Sequence, residues 1–283
     1  MKRLISAFVC ALCFLSCANA ETVPSPVPGA FALAGGQAQV EGTLTATPSG
    51  KTTDKLDIVL SKKGSTAPLT RFDVELSKQM HVIAVSDDLK TFLHQHVTKV
   101  TTDGHFRLTM KFPRPALYHI YADSSPAGIG QQVLRFDLSV GGTFQHQPAN
   151  LAPSALESSS GGYTVKFDSL SLKAGDETML HLQILKDGAP ATDVKPFLGV
   201  PAHAVFIAAD TLDYIHAHPM PVSGMGGAMD MHMDMTAEPK AGEAVKPDLM
   251  LHVAAPQAGL YALWLQFNAG GKLQTVPFVA VAR

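Results

Sequence analysis

One pattern occurs twice in this chain, and it is organised around histidine. His81, His94 and His96 are spaced thirteen and two residues apart, and so are His203, His216 and His218. The surrounding text repeats as well. Met80-His81-Val82-Ile83 answers Ala202-His203-Ala204-Val205, and Phe92-Leu93-His94-Gln95-His96 answers Tyr214-Ile215-His216-Ala217-His218. The similarity runs further, from Leu56–Gly64 against Leu180–Gly188 to Phe106–Tyr118 against Leu249–Tyr261. Two copies of one domain must therefore share one architecture.

Each copy reads as all-β. Short runs alternate polar and apolar with period two, among them Gln39–Thr47, Leu56–Ser61, Met80–Ser86, Phe106–Phe112 and Val133–Val140. Turn formers such as Asp103-Gly104, Pro113 and Pro115 separate them. About seven short strands in about 110 residues suit an immunoglobulin-like β-sandwich. The sequence thus predicts two tandem immunoglobulin-like sandwiches, over residues 37–144 and 163–283. A Pro-, Ala- and Gly-rich arm spans 21–36, and a Pro-, Ser- and Gly-rich linker spans 145–162.

Residues 1–20 read as a cleaved signal peptide: Lys2 and Arg3, an apolar stretch from Leu4 to Leu15, then Ala18-Asn19-Ala20 before Glu21. Phe14-Leu15-Ser16-Cys17 is a weaker version of a lipoprotein box, which would instead leave Cys17 as a lipidated N-terminus. Both readings export the protein, to a bacterial periplasm or beyond, and no later run is long and apolar enough to span a membrane. All three cysteines lie in this segment. Cleavage after Ala20 leaves no thiol, which excludes blue-copper and iron–sulfur sites. The formal charge of −2 and the lack of a basic patch argue against nucleic acid.

Imidazole is the commonest metal ligand at neutral pH. His94 and His96, two apart on a strand, project from one face, and a hairpin brings His81 beside them. Three imidazoles in each copy suit Cu(II), with zinc as the alternative ion. In the first copy Asp123 is the expected fourth ligand, on the strand face that carries His119 and Tyr121. The aligned residue in the second copy is Gln266, a poor ligand, so the two sites are not expected to be equivalent. The competing reading is structural, because a duplicated domain inherits histidines that serve the fold as readily as those that serve function. His105, His119, His146, His181 and His252 have no counterpart in the other copy and read as structural.

The copies differ most in one loop, 219–247, where His218 to Asp248 spans thirty residues against nine from His96 to His105. Six of the chain's eleven methionines fall in its first part: Met220, Met225, Met229, Met231, Met233 and Met235, with His232 among them. Thioether sulfur is a soft ligand that favours Cu(I). It resists the disulfide chemistry of an oxidising compartment.

The stretches Met80–Leu89, Phe92–His96, Asp103–Phe106, Tyr118–Asp123 and Pro126–Gly128 resemble a recurrent type of secreted bacterial domain. Leu198–His203 and His216–Pro219 resemble its companion half. Such tandem β-sandwich proteins are mostly of unknown function, and some are associated with copper or heavy-metal export. The resemblance implies exported sandwiches with a leaning towards copper, and as partner a metal-efflux system or a membrane-bound metal acceptor. It implies no catalysis. Three histidines with an open position do build catalytic metal sites, yet no Glu near the triads is an evident general base and no Gly-x-Ser-x-Gly occurs. The expected function is therefore non-enzymatic copper buffering or delivery. The alternative is a structural or interaction module.

Overall fold

The computed structural model describes residues 21–23, 39–222 and 244–283. They form an all-β structure of four sheets in two sandwiches. In the first sandwich, one sheet has the order β1 (Glu21–Val23), β2 (Val40–Gly50), β3 (Thr53–Lys62), β6 (His105–Lys111). Its partner sheet runs β5 (Phe92–Val97), β4 (Met80–Ser86), β7 (Ala116–Ser124), β8 (Gln132–Val140). The chain lays β1, β2 and β3 in one sheet, crosses to the other for β4 and β5, returns for β6 alone and crosses again for β7 and β8.

The second sandwich repeats the plan. One sheet runs β9 (Glu157–Ser160), β10 (Tyr163–Phe167), β12 (Glu177–Lys186), β18 (Asp248–Ala254), β17 (Met220–Pro221), with β13 (Ala189–Pro190) against β12. The other runs β11 (Ser171–Leu172), β20 (Lys272–Ala282), β19 (Gly259–Ala269), β15 (His203–Ala208), β16 (Tyr214–Ala217), with β14 (Val194–Lys195) against β19. β9 falls inside the stretch expected to be linker. Ser158-Ser159-Ser160 is a strand, and Gly161-Gly162 (φ 60° and 86°) make the tight turn that folds it onto β10. That turn needs positive φ at both positions, which glycine adopts without strain.

Period two builds each core. Leu56, Ile58 and Leu60 of β3, and Leu180, Leu182 and Ile184 of β12, are fully buried while their neighbours face out. β4, β7 and β15 differ: every residue is buried, on both faces. Val82 and Ala84 enter the first sandwich's own core. Ile83, Val85, Tyr121 and Val133 instead join Val205, Ile207, Tyr214, Ala262 and Trp264 in a third apolar cluster, between the two sandwiches. The β5-β4-β7-β8 sheet is therefore packed face to face against its counterpart in the other copy. Two stacked aromatic pairs cross the seam, Phe92 on Trp264 (4.9 Å) and Tyr121 on Tyr214 (5.1 Å). Each large apolar side chain removed from water contributes roughly 1.5–3 kcal/mol, so this seam fixes the two halves as one unit.

Candidate metal centre between the sandwiches

The interface carries both histidine triads. In the first, His81 on β4 lies directly opposite His96 on β5, and His94 is opposite Ile83, one step along the same face. In the second, His203 on β15 neighbours His216 on β16, which pairs with Val205, and His218 follows at the strand's end. Donor atoms within each triad lie within 4.8 Å of one another. The triads also touch: the His81 ring lies 5.4 Å from His216, and the His94 ring 5.7 Å from His203.

The outer hydrogen bonds decide which nitrogen of each ring keeps its lone pair. A carbonyl oxygen only accepts. His81 Nε2 is 3.4 Å from the Glu75 carbonyl and His203 Nε2 is 3.0 Å from the Phe197 carbonyl, so both rings donate there and leave Nδ1 free. His94 Nδ1 donates to Gln266 Oε1 (2.8 Å) and His216 Nδ1 to Asp123 Oδ2 (3.3 Å), leaving Nε2 free in both. His81 Nδ1 and His94 Nε2 then face each other at 3.2 Å, and His203 Nδ1 and His216 Nε2 at 3.1 Å, lone pair against lone pair. The third ring of each triad points a buried Nε2, from His96 or His218, that has no hydrogen-bond partner among the described residues.

Facing lone pairs repel unless a proton or a cation lies between them. Two nitrogens held about 2.0–2.1 Å from one ion are about 3.3–3.4 Å apart at a tetrahedral angle and about 2.9 Å apart at a right angle. The observed spacings lie inside that range. Protons are the weaker candidate, because burial first, and then the neighbouring imidazoles, hold His94, His203 and His216 well below the ordinary histidine value. Burial lowers His81, and it pushes His96 down to about 3 and His218 to about 4. Neutral imidazole is the form that binds metal.

The loops that supply the carbonyls are also duplicated. Glu75–Lys78 and Phe197–Val200 are two-residue turns closed by reciprocal backbone hydrogen bonds. Their central residues have positive φ: Leu76 (46°) and Ser77 (68°), then Leu198 (53°) and Gly199 (85°). A leucine held in the left-handed region costs about 1–2 kcal/mol, and in both copies it directly follows the carbonyl that orients a triad histidine.

Asp123 does not complete the first triad. It lies opposite His81 in the ladder, but its carboxylate accepts from Gln131 Nε2 (2.8 Å), the Tyr214 hydroxyl (3.0 Å) and His216 of the other copy. Gln266, opposite His203, reaches back across the seam to His94. Each of these positions orients the middle histidine of the opposite triad. Burial raises the Asp123 pKa, with its hydrogen bonds and His81 opposing. Met225, Met229, Met231, His232, Met233 and Met235 lie outside the described residues.

A third group, Asp87, His119 and His146, also brings donor atoms within 4.8 Å. Here the facing atoms already bond one another. His119 is held between Asp87 (2.9 Å) and Asp137 (2.7 Å), and Asp87 also accepts from His146 Nδ1 (2.5 Å) and the Gln147 amide (2.7 Å). This network fastens residues 146–147 onto the first sandwich. His105 bonds Asp57 (2.7 Å), and His181 bridges Asp168 (2.8 Å) and Asp248 (2.6 Å).

Sequence reasoning missed the two carbonyls, the third group, and the crossing of Asp123 and Gln266. The signal for the crossing was present in β4 and β15, where Met80–Val85 and His203–Ala208 are apolar but for one histidine each and require cover on both faces.

A search of curated proteins finds none that matches the chain. Among solved structures, it is similar to the FN1-FN3 domains of chicken CNTN1 at 9% identity, with a TM-score of 0.18. That match covers 81% of this chain and 62%, less than two thirds, of the other. A family model, "Domain of unknown function (DUF8832)", matches residues 35–142 and 158–283. These stretches take in most of the chain and both triads, and the chain belongs to the DUF8832 family.

Proposed function

We propose that this is an exported copper-binding protein that buffers or delivers metal without catalysis, its two histidine triads taking Cu(II) at the seam between the sandwiches. The observation that carries the reading is the pair of facing lone pairs, 3.2 Å and 3.1 Å apart, each beside a buried imidazole nitrogen with no partner among the described residues. Three imidazoles also suit Zn(II) and Ni(II). Copper is favoured by the soft-donor stretch of the same chain, Met225 to Met235 with His232, which we assign to Cu(I). The signal-like residues 1–20 support a periplasmic setting, and the resemblance to proteins of metal-export systems supports an efflux system or membrane-bound acceptor as the receiver. His81 and His203 are buried beneath their own loops. Such burial suits holding an ion more than presenting it to a substrate.

The test is equilibrium titration of the chain from Glu21 with Cu(II) and Zn(II), counting bound ions. The expected result is up to two tightly bound ions per chain with imidazole nitrogens in the Cu(II) spectrum, and one ion fewer in His94→Gln/His96→Gln. No ion retained at micromolar concentration, with the fold intact, overturns the reading and leaves the histidines a structural role.

A further inference from the structure

The opposite sheet of the second sandwich carries a second set of metal-ligand side chains. Leu180, Leu182 and Ile184 of β12 and Leu249, Leu251 and Val253 of β18 point into the core. Alternation therefore puts Met179 and His181, and Met250 and His252, on the outer face. The ladder sets Met179 opposite His252, His181 opposite Met250, and Met220 of β17 opposite Met250. Directly opposite residues in an antiparallel pair have Cβ atoms about 4.5–5.5 Å apart, with diagonal neighbours within reach of long side chains. Three flexible thioethers and an imidazole thus lie on adjoining positions of three strands.

The fold does not account for them. Methionine is neither a strong strand former nor a solubilising residue. Met179 is nonetheless 50% exposed, on a face it shares with polar side chains such as Gln183 and Lys166. His252 is exposed and makes no hydrogen bond among the described residues. His181 is different, since both its nitrogens are engaged by Asp168 and Asp248. It is not a ligand, but its two carboxylates against one imidazole make the rim attractive to a cation.

We propose that Met179, Met220, Met250 and His252 form a soft-metal site for a monovalent d10 cation, Cu(I) in the native setting, on the outer face of the second sandwich. Thioether sulfur selects Cu(I) over zinc or other harder ions, and it binds without losing a proton. The site is separate from the triads, which lie on the other sheet with the core between them. It stands on its own whatever ion the triads hold. Met220 follows His218 by two residues, so the chain runs from one donor set directly to the other.

Silver(I), a redox-inert probe, tests this in the full chain from Glu21 with 13C-methyl methionine, the resonances assigned by single Met→Leu variants. The methyl signals of Met179, Met220 and Met250 are expected to shift together over the first equivalent. Met179→Leu/Met250→Leu, which conserves volume at accessible positions, is expected to lose that equivalent and keep its divalent ions. His252→Gln is expected to weaken silver binding without changing the melting temperature. The proposal is overturned if the three methyl signals do not move over that equivalent, whether silver binds only at Met225–Met235 or nowhere. Loss of Cu(II) and Zn(II) binding with the silver response intact would sink the triad reading alone.

Discussion

The two triads share their inner geometry and differ in what stands behind it. Facing nitrogens are 3.2 Å apart in one and 3.1 Å in the other, and each has its carbonyl-capping turn. Behind His216, however, stands the carboxylate of Asp123, itself held by Tyr214 and Gln131. Behind His94 stands the amide of Gln266, held by Thr275 (2.9 Å). A carboxylate behind a ligating imidazole raises its basicity and offsets the charge of the ion, whereas an amide only orients the ring. The inner histidines were duplicated and kept, and the outer partners diverged. The second triad should therefore be the tighter site for a divalent ion, although the residue that makes it so belongs to the first sandwich.

The largest effect should come from removing a triad outright. His216→Gln/His218→Gln is expected to abolish the tighter site and His94→Gln/His96→Gln the weaker one. Isothermal titration separates these outcomes, and equal residual affinities would break the comparison. Next is the exchange of the outer partners. Asp123→Asn should weaken the second site about 10–100-fold, the usual cost of losing such a partner, and spare the first. Gln266→Glu should tighten the first. If Asp123→Asn weakens the first site instead, Asp123 acts within its own copy after all.

Much of this was legible beforehand, and what was not has a physical reason. Spacing alone put His94 and His96 on one face and His81 across the ladder, because strand periodicity is local. The direction of Asp123 is not local: a residue on an outward sheet face meets whatever covers that face. β4, with Met80 to Val85 apolar except at His81, is too hydrophobic for a strand with one wet face, and this was the signal that a second sheet lay against it. The soft face of β12 and β18 escaped notice for the opposite reason. Leu180–Gly188 was read there only as a repeat of Leu56–Gly64, and not for Met179 and His181, which strand alternation turns outward.

Acid should act on both triads through their depressed histidines. An unfolded chain binds protons at its imidazoles as pH falls through about 6.5, while His218 and His96 in the folded protein resist until about 4 and about 3. The unfolded state thus binds more protons across that window, and stability falls as pH falls. Asp123 acts in the opposite direction: its raised pKa means that the folded state takes up its proton earlier, which stabilises on acidification. Bound ion must be displaced by the same protons, so metal-loaded protein should melt higher than apo protein at pH 7, with the gap closing towards pH 4. A melting temperature that does not change from pH 7 to 4 in apo protein would mean that the histidines are not buried in neutral form.

The smallest effect separates affinity from stability. Tyr214 occupies the position of Phe92 in the repeat, and its hydroxyl, which Phe92 lacks, donates to Asp123 (3.0 Å). Tyr214→Phe removes a hydrogen bond to a charged acceptor, which contributes about 1.5–3 kcal/mol, and should lower stability by that order. Asp123 keeps Gln131 on one oxygen and His216 on the other. Affinity at the second triad should then change by no more than a few-fold, even as the melting temperature drops. Asp123→Asn should do the reverse for affinity. If Tyr214→Phe costs as much metal affinity as Asp123→Asn, then it is the fixed position of the carboxylate, more than its charge, that distinguishes the two sites.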